Sequence, residues 1–136
     1  MIVADTGPLY ALIDRDDAWH RRVAAWWTRE PRVIVVPFAV VPEVCCLLHT
    51  RISATAELAF VRALADGTFT VEPSEPADIT RAAEVMQDYG DTPIGFVDAT
   101  VIATAERLGA REILTTDRRH FSLVRPRHCA AFTLVP

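Results

Sequence analysis

Short apolar runs that break off at an acid or a proline, each separated from the next by a stretch with helical spacing, set the tightest limit on how this chain can fold. Ile2–Ala4 stops at Asp5. Arg32–Val36 (RVIVV), rich in β-branched residues, stops at Pro37. GTFTVEP stops at Pro73, Glu112–Thr115 leads into Thr116 and Asp117, and AAFTLV closes the series. Between these runs lie helical segments. DTGPLYALID turns the first run into a short helix. Asp17 caps a helix through about Arg29, with Trp19, Val23 and Trp26 or Trp27 at helical spacing. Pro42 suits the first turn of a helix to about Arg51, and Ser53 caps another to about Ala65. Asp78–Tyr89 carries Ile79, Ala82, Ala83 and Met86 on one stripe, and Phe96–Leu108 is closed by Gly109. Strands that alternate with helices imply an α/β sandwich with a mainly parallel sheet, here one domain over residues 1–136. Ligands of such sheets bind beyond the carboxyl ends of the strands, where strand order reverses.

Four acids are delivered toward that edge. Asp5 follows the first strand and Asp117 follows the strand Glu112–Thr115. Glu43 and Asp98 stand in the first turns of their helices. Glu43 lies one turn before Leu47, and Asp98 one turn before Ile102, which reads as placing both on inward faces. Each acid has an ordinary explanation: Asp5 and Asp117 as helix caps, Glu43 and Asp98 as acids favoured by a helix dipole. Those explanations do not require all four to meet at one edge. Clustered carboxylates repel, and burial disfavours their charged form, so a counter-charge is needed. Mg²⁺ answers that need with oxygen ligands shared between one or two carboxylates and a substrate phosphate. Two such ions would clamp the attacking and leaving oxygens of an in-line displacement at phosphorus.

Composition excludes several classes. The 136 residues carry a net charge of −4, without the basic signature of a general nucleic-acid binder. All 14 basic residues are Arg, so no lysine-dependent mechanism is open to the chain. The three cysteines, Cys45, Cys46 and Cys129, have neither zinc-ligand nor disulfide-framework spacing, and read as reduced thiols of a cytoplasmic protein. The N-terminus lacks a basic leader region, and the longest apolar run, Val33–Pro42, is far short of the ~20 residues of a membrane helix. No membrane association is expected.

With those residues in hand, the chain resembles the PIN-domain nucleases, and among them the VapC toxins of bacterial toxin–antitoxin pairs. The resemblance covers the whole chain. It rests on IVADTGPLYAL around Asp5, PFAVVPEV around Glu43, IGFVDATVIATAERLGA around Asp98 and ILTTDRRHF around Asp117. It implies a three-layer α/β/α PIN-like fold and an acidic, metal-binding catalytic site of Asp5, Glu43, Asp98 and Asp117. Thr6 and Thr116 become polar helpers that orient a carboxylate or a water on the metal. It further implies Mg²⁺ or Mn²⁺ as cofactor, RNA as substrate (in several members one loop of a tRNA or rRNA), inhibition by a cognate VapB-type antitoxin, and a homodimer.

Arg118 and Arg119, beside Asp117, are candidates for phosphate contacts in RNA, against the alternative of salt bridges to nearby acids. His120 reads as a packed or surface histidine, because a metal-activated water needs no imidazole base. Trp26, Trp27, Leu47 and Leu48 are candidates for an antitoxin groove or dimer interface, with plain core the better reading for most. Two other readings stay open: a PIN-like protein-binding module without nuclease activity, and a DNA-directed nuclease. Aspartyl-phosphate chemistry is disfavoured by the missing lysine and by Gly7, where a phosphatase of that kind would carry a second Asp.

Overall fold

The structure is a computed structural model that describes residues 1–29 and 32–136. Five strands, β1 (Ile2–Ala4), β2 (Ile34–Pro37), β3 (Thr70–Glu72), β4 (Glu112–Leu114) and β5 (Thr133–Val135), form one sheet in the order β3-β2-β1-β4-β5. Every pairing is parallel. β1 lies at the centre, and β1, β2 and most of β4 are buried, as their uninterrupted apolar sequences require.

The helices are α1 (Thr6–Ile13), α2 (His20–Arg29), α3 (Val40–Arg51), α4 (Ala54–Ala65), α5 (Pro76–Asp88), α6 (Phe96–Leu108) and α7 (Arg118–Leu123). α1 packs on α2 and α3, α3 packs on α4, and α5 pairs with α6. The path β1-β2-β3 crosses the sheet in one direction and β3 to β4 returns in the other. Right-handed crossovers therefore put α1–α4 on one face and α5 and α6 on the opposite one. Strand order reverses at the crevice between β1 and β4. Among the described residues no helix is long and apolar enough to cross a membrane.

The caps behave largely as read from sequence. Ser53 accepts from the Ala56 N–H, and Gly109 ends α6 with φ +68°, a left-handed conformation that glycine adopts without cost. α2 begins later than its cap suggested, at His20, because Asp17 spends its carboxylate on a turn by accepting from the Trp19 N–H. Trp27 turns inward to meet Phe69, with ring centroids 5.2 Å apart, while Trp26 stays partly buried beside a cleft lined by Arg22, Arg29 and Pro136. Leu48 is core.

The stripe expected on α5 is wrong by a rotation. Ile79 is 54% exposed and Met86 is also exposed; the helix buries Asp78, Ala82 and Val85 instead. The cause is electrostatic. Arg107 on α6 grips both oxygens of Asp78, through Nε at 2.9 Å and Nη2 at 3.0 Å, and also reaches Glu72 at 2.8 Å. Arg81 makes the matching fork to Glu106, at 2.7 and 3.0 Å. At this seam the inward face of α5 carries the bidentate partner of Arg107 rather than Ile79 and Met86.

Candidate metal centre

The parallel register of β1 and β4 (Val3 beside Ile113, Ala4 beside Leu114) carries the chain on to set Asp5 next to Thr115. The Asp5 N–H donates to the Leu114 carbonyl at 2.9 Å, and the Asp5 side chain turns into the crevice between the two strands. One carboxylate oxygen caps α1 by accepting from the Thr6 N–H at 2.7 Å; the other accepts from the Thr115 hydroxyl at 2.9 Å. That hydroxyl in turn accepts from the Asp117 N–H at 2.9 Å. Thr115, fully buried, thus fastens the ends of both strands to one another. Sequence reasoning passed over it in favour of Thr116. The only signal that could have found it was a threonine closing an otherwise apolar strand.

Asp98 stands in the first turn of α6, above the buried run Ala99–Ala105. Asp117 caps α7 by accepting from the His120 N–H at 3.0 Å. Donor atoms of Asp98, Asp117 and His120 lie within 4.8 Å of one another. The ordinary explanations for Asp5 and Asp117 therefore hold, since both are caps; Asp117 also belongs to this cluster, and the charge of Asp98 acts on Asp5.

Glu43 departs from its expected placement. α3 buries Val40, Val44 and Leu48, so Glu43 lies on the exposed side of that helix rather than on its inward face. Its charge is still felt at the site, for it raises the pKa of both Asp5 and Asp98. Burial is the largest cause of the Asp5 shift, followed by repulsion from Asp98; the hydrogen bonds from Thr6 and Thr115 oppose them, and the carboxyl is pushed up to about 7. Asp98 is also raised, first by burial and then by Asp117, with His120 acting in the opposite direction.

These residues fit a divalent cation. The donor set is oxygen-rich, its carboxylates resist ionising side by side, and the buried Thr6 hydroxyl beside Asp5 has no hydrogen-bond partner in the protein. Gly7 explains how α1 comes so close: a Cβ there would fall 2.1 Å from the Thr116 hydroxyl. Thr116 thus packs against the start of α1. Arg118 donates to the Pro136 carbonyl and lies over the Trp19 ring, while Arg119 is exposed.

Asp98, Asp117 and His120 thus bring donor atoms together beyond the carboxyl ends of the strands, in a group able to hold a metal ion. The PIN domain model matches residues 2–125, and the chain belongs to the PIN-domain family. Ribonuclease VapC26 of Mycobacterium tuberculosis (strain H37Rv) is 37% identical over 135 residues, which span 99% of this chain and 100% of that one. Among solved structures, VapC20 of Mycobacterium tuberculosis, a sarcin–ricin loop cleaving toxin, superposes with a TM-score of 0.82 at 25% identity, covering 88% of this chain and 92% of its own. A toxin–antitoxin complex from Klebsiella pneumoniae (TM-score 0.72, 19% identity) and FitAcB from Neisseria gonorrhoeae (0.69, 16%) share the fold, each over 100% of this chain and 97% of theirs.

Proposed function

We propose that this protein is a VapC-type toxin of a type II toxin–antitoxin pair, a metal-dependent endoribonuclease that hydrolyses phosphodiester bonds in RNA. One observation carries the reading. Asp98 and Asp117 come together at the edge where strand order reverses, and buried Asp5, repelled by Asp98, has its carboxyl pushed up to about 7. A carboxylate cluster of that kind, in a chain 37% identical to a ribonuclease, is built to hold a divalent cation.

Asp98 and Asp117 supply partly exposed oxygens, and Asp5 supplies carboxylate oxygens held by Thr6 and Thr115. Glu43 adds negative charge from the exposed side of α3 and completes the four-acid set. Mg²⁺ or Mn²⁺, when bound, draws in the scissile phosphate and lowers the pKa of the attacking water. The carboxylates hold; they do not attack. Arg119, exposed one residue past the start of α7, and Arg118 beside it are assigned to flanking phosphates of the RNA. Residues 1–136 act as one domain in the cytoplasm, as a homodimer, restrained by a VapB-type antitoxin. A tRNA or rRNA loop is the substrate we favour, as the relation to a sarcin–ricin loop cleaving toxin supports.

The test incubates purified protein with total cellular RNA, with Mg²⁺ or Mn²⁺ and with EDTA, beside Asp98→Asn, and maps fragment ends by sequencing. A discrete cut that needs both metal and Asp98 is expected. No cut by folded, antitoxin-free protein would shift the assignment to a protein-binding module, and cleavage of DNA alone to a DNA-directed nuclease.

A further inference from the structure

The first turn of α7 places an imidazole where the reading above calls only for carboxylates. His120 Nδ1 is sealed from solvent and has no hydrogen-bond partner. It lies 2.6 Å from Asp117 Oδ2 and 3.7 Å from Asp98 Oδ2. The shorter contact is within ion-pair distance but does not meet hydrogen-bond geometry. The ring is held there by the backbone. The His120 N–H is bound to Asp117 Oδ1 at 3.0 Å, and neighbouring Phe121 is buried, which fixes the turn. A nitrogen facing two carboxylate oxygens, with no donor or acceptor assigned to it, is the arrangement of three ligands around a cation. Octahedral coordination at 2.0–2.1 Å keeps adjacent donors about 3 Å apart, and the two observed separations bracket that spacing.

We infer that His120 is a nitrogen ligand of the metal held by Asp98 and Asp117, and that the site therefore favours a first-row transition ion over Mg²⁺. Mg²⁺ takes oxygen ligands and gains little from an imidazole, whereas transition ions bind nitrogen readily. The inference rests on the reading of this cluster as a metal site and specifies which ion that site selects. It also makes His120 a part of the site without assigning it any proton transfer.

The experiment uses Mn²⁺ as probe, with the whole chain. Pulsed electron paramagnetic resonance of the Mn²⁺-loaded wild type should show ¹⁴N modulation from a directly bound imidazole, and His120→Gln should lose it. Calorimetry should show Mn²⁺ binding weakened by roughly tenfold or more in His120→Gln, while Mg²⁺ binding changes by less than about threefold. Mn²⁺ bound without nitrogen coupling in the wild type overturns the inference and leaves the carboxylate site standing. Failure of both ions to bind overturns the metal reading and the inference together. The wild-type spectrum decides the matter even where His120→Gln folds poorly.

Discussion

Asp5 and Asp78 are the same residue type, 5% and 2% exposed, one at the end of β1 and one in the first turn of α5, and their carboxyls are driven in opposite directions. At Asp78, burial alone would raise the pKa. The fork from Arg107 and the Glu75 N–H outweigh it, and the carboxyl is held below the usual range. At Asp5, burial is reinforced by Asp98 and Glu43, the bonds from Thr6 and Thr115 are too few to offset them, and the carboxyl rises to about 7. Acids are as plentiful at the α5–α6 seam as at the sheet edge. The difference lies in the guanidinium groups: the seam has Arg81, Arg107 and Arg127 among its acids, whereas among the described residues no arginine pairs with Asp5, Asp98 or Asp117. A buried acid with its own arginine is architecture. A buried acid among other acids is left without that counter-charge.

Five experiments would break or sharpen that contrast. Asp98→Asn should lower the cleavage rate roughly a thousandfold or more, since metal assistance contributes several kcal/mol and one ligand charge is removed. Its circular dichroism and unfolding midpoint should stay close to wild type. Full cleavage by this variant would remove Asp98 from the site.

Arg107→Ala should do the reverse. It leaves Asp78 buried without its partner and should destabilise the fold by about 3 kcal/mol in urea unfolding, at the low end for a broken buried pair because the guanidinium is partly exposed. Cleavage per folded molecule should not change. The double variant Arg107→Ala/Asp78→Ala should recover part of the loss, and an equal or greater loss would deny that the pair sets the seam.

The pH dependence follows from the raised Asp5 carboxyl. Between about pH 4 and about pH 7 the folded state holds a proton that the unfolded chain has released. Stability in EDTA should therefore fall as pH rises through that window, by up to about 4 kcal/mol, and stay low above it. Added Mn²⁺ or Asp5→Asn should flatten the curve. A flat curve in EDTA for the wild type would mean that Asp5 ionises normally.

Gly7→Ala is expected to cost about 1–3 kcal/mol, as overpacking does, because the Thr116 hydroxyl stands where the new Cβ must go. Gly7→Ala/Thr116→Ala should restore most of it. The smallest effect expected is at the rim. Ala at Arg118 and Arg119 should weaken RNA binding modestly and reduce its salt dependence by one to two phosphate contacts, roughly 0.7 each in the logarithmic slope for single strands. An unchanged slope would place both arginines outside the RNA interface.

The sheet edge was easier to read from sequence than the seam, for a physical reason. Strand ends and helix starts are written locally: Ile2–Ala4 is apolar and then meets Asp5, Ser53 caps within three residues, and Gly109 takes the one backbone conformation that others avoid. Asp5, Asp98 and Asp117 inherit their positions from such local signals. Asp78 does not, because its burial depends on Arg107 in another helix, and hydropathy spacing assigned the inner face to Ile79 and Met86 instead. Glu43 was misplaced in a similar way. The spacing that ends at Leu47 is no less regular than the one that ends at Leu48, and only packing against α1 and α4 decides between them. Thr115 escaped because the carboxylate it donates to, Asp5, belongs to the opposite end of the chain.

That last bond has a consequence for synthesis. The first strand made becomes the middle of the sheet, and the acid that follows it is tied through Thr115 to Asp117, near the other end. A ribosome adding ~5–20 residues per second needs roughly ten seconds to get from one to the other. Throughout that interval the nascent chain holds Asp5 beside a strand whose neighbour does not yet exist. The tie between the two ends of the sheet edge therefore forms only after almost all of the chain has been made.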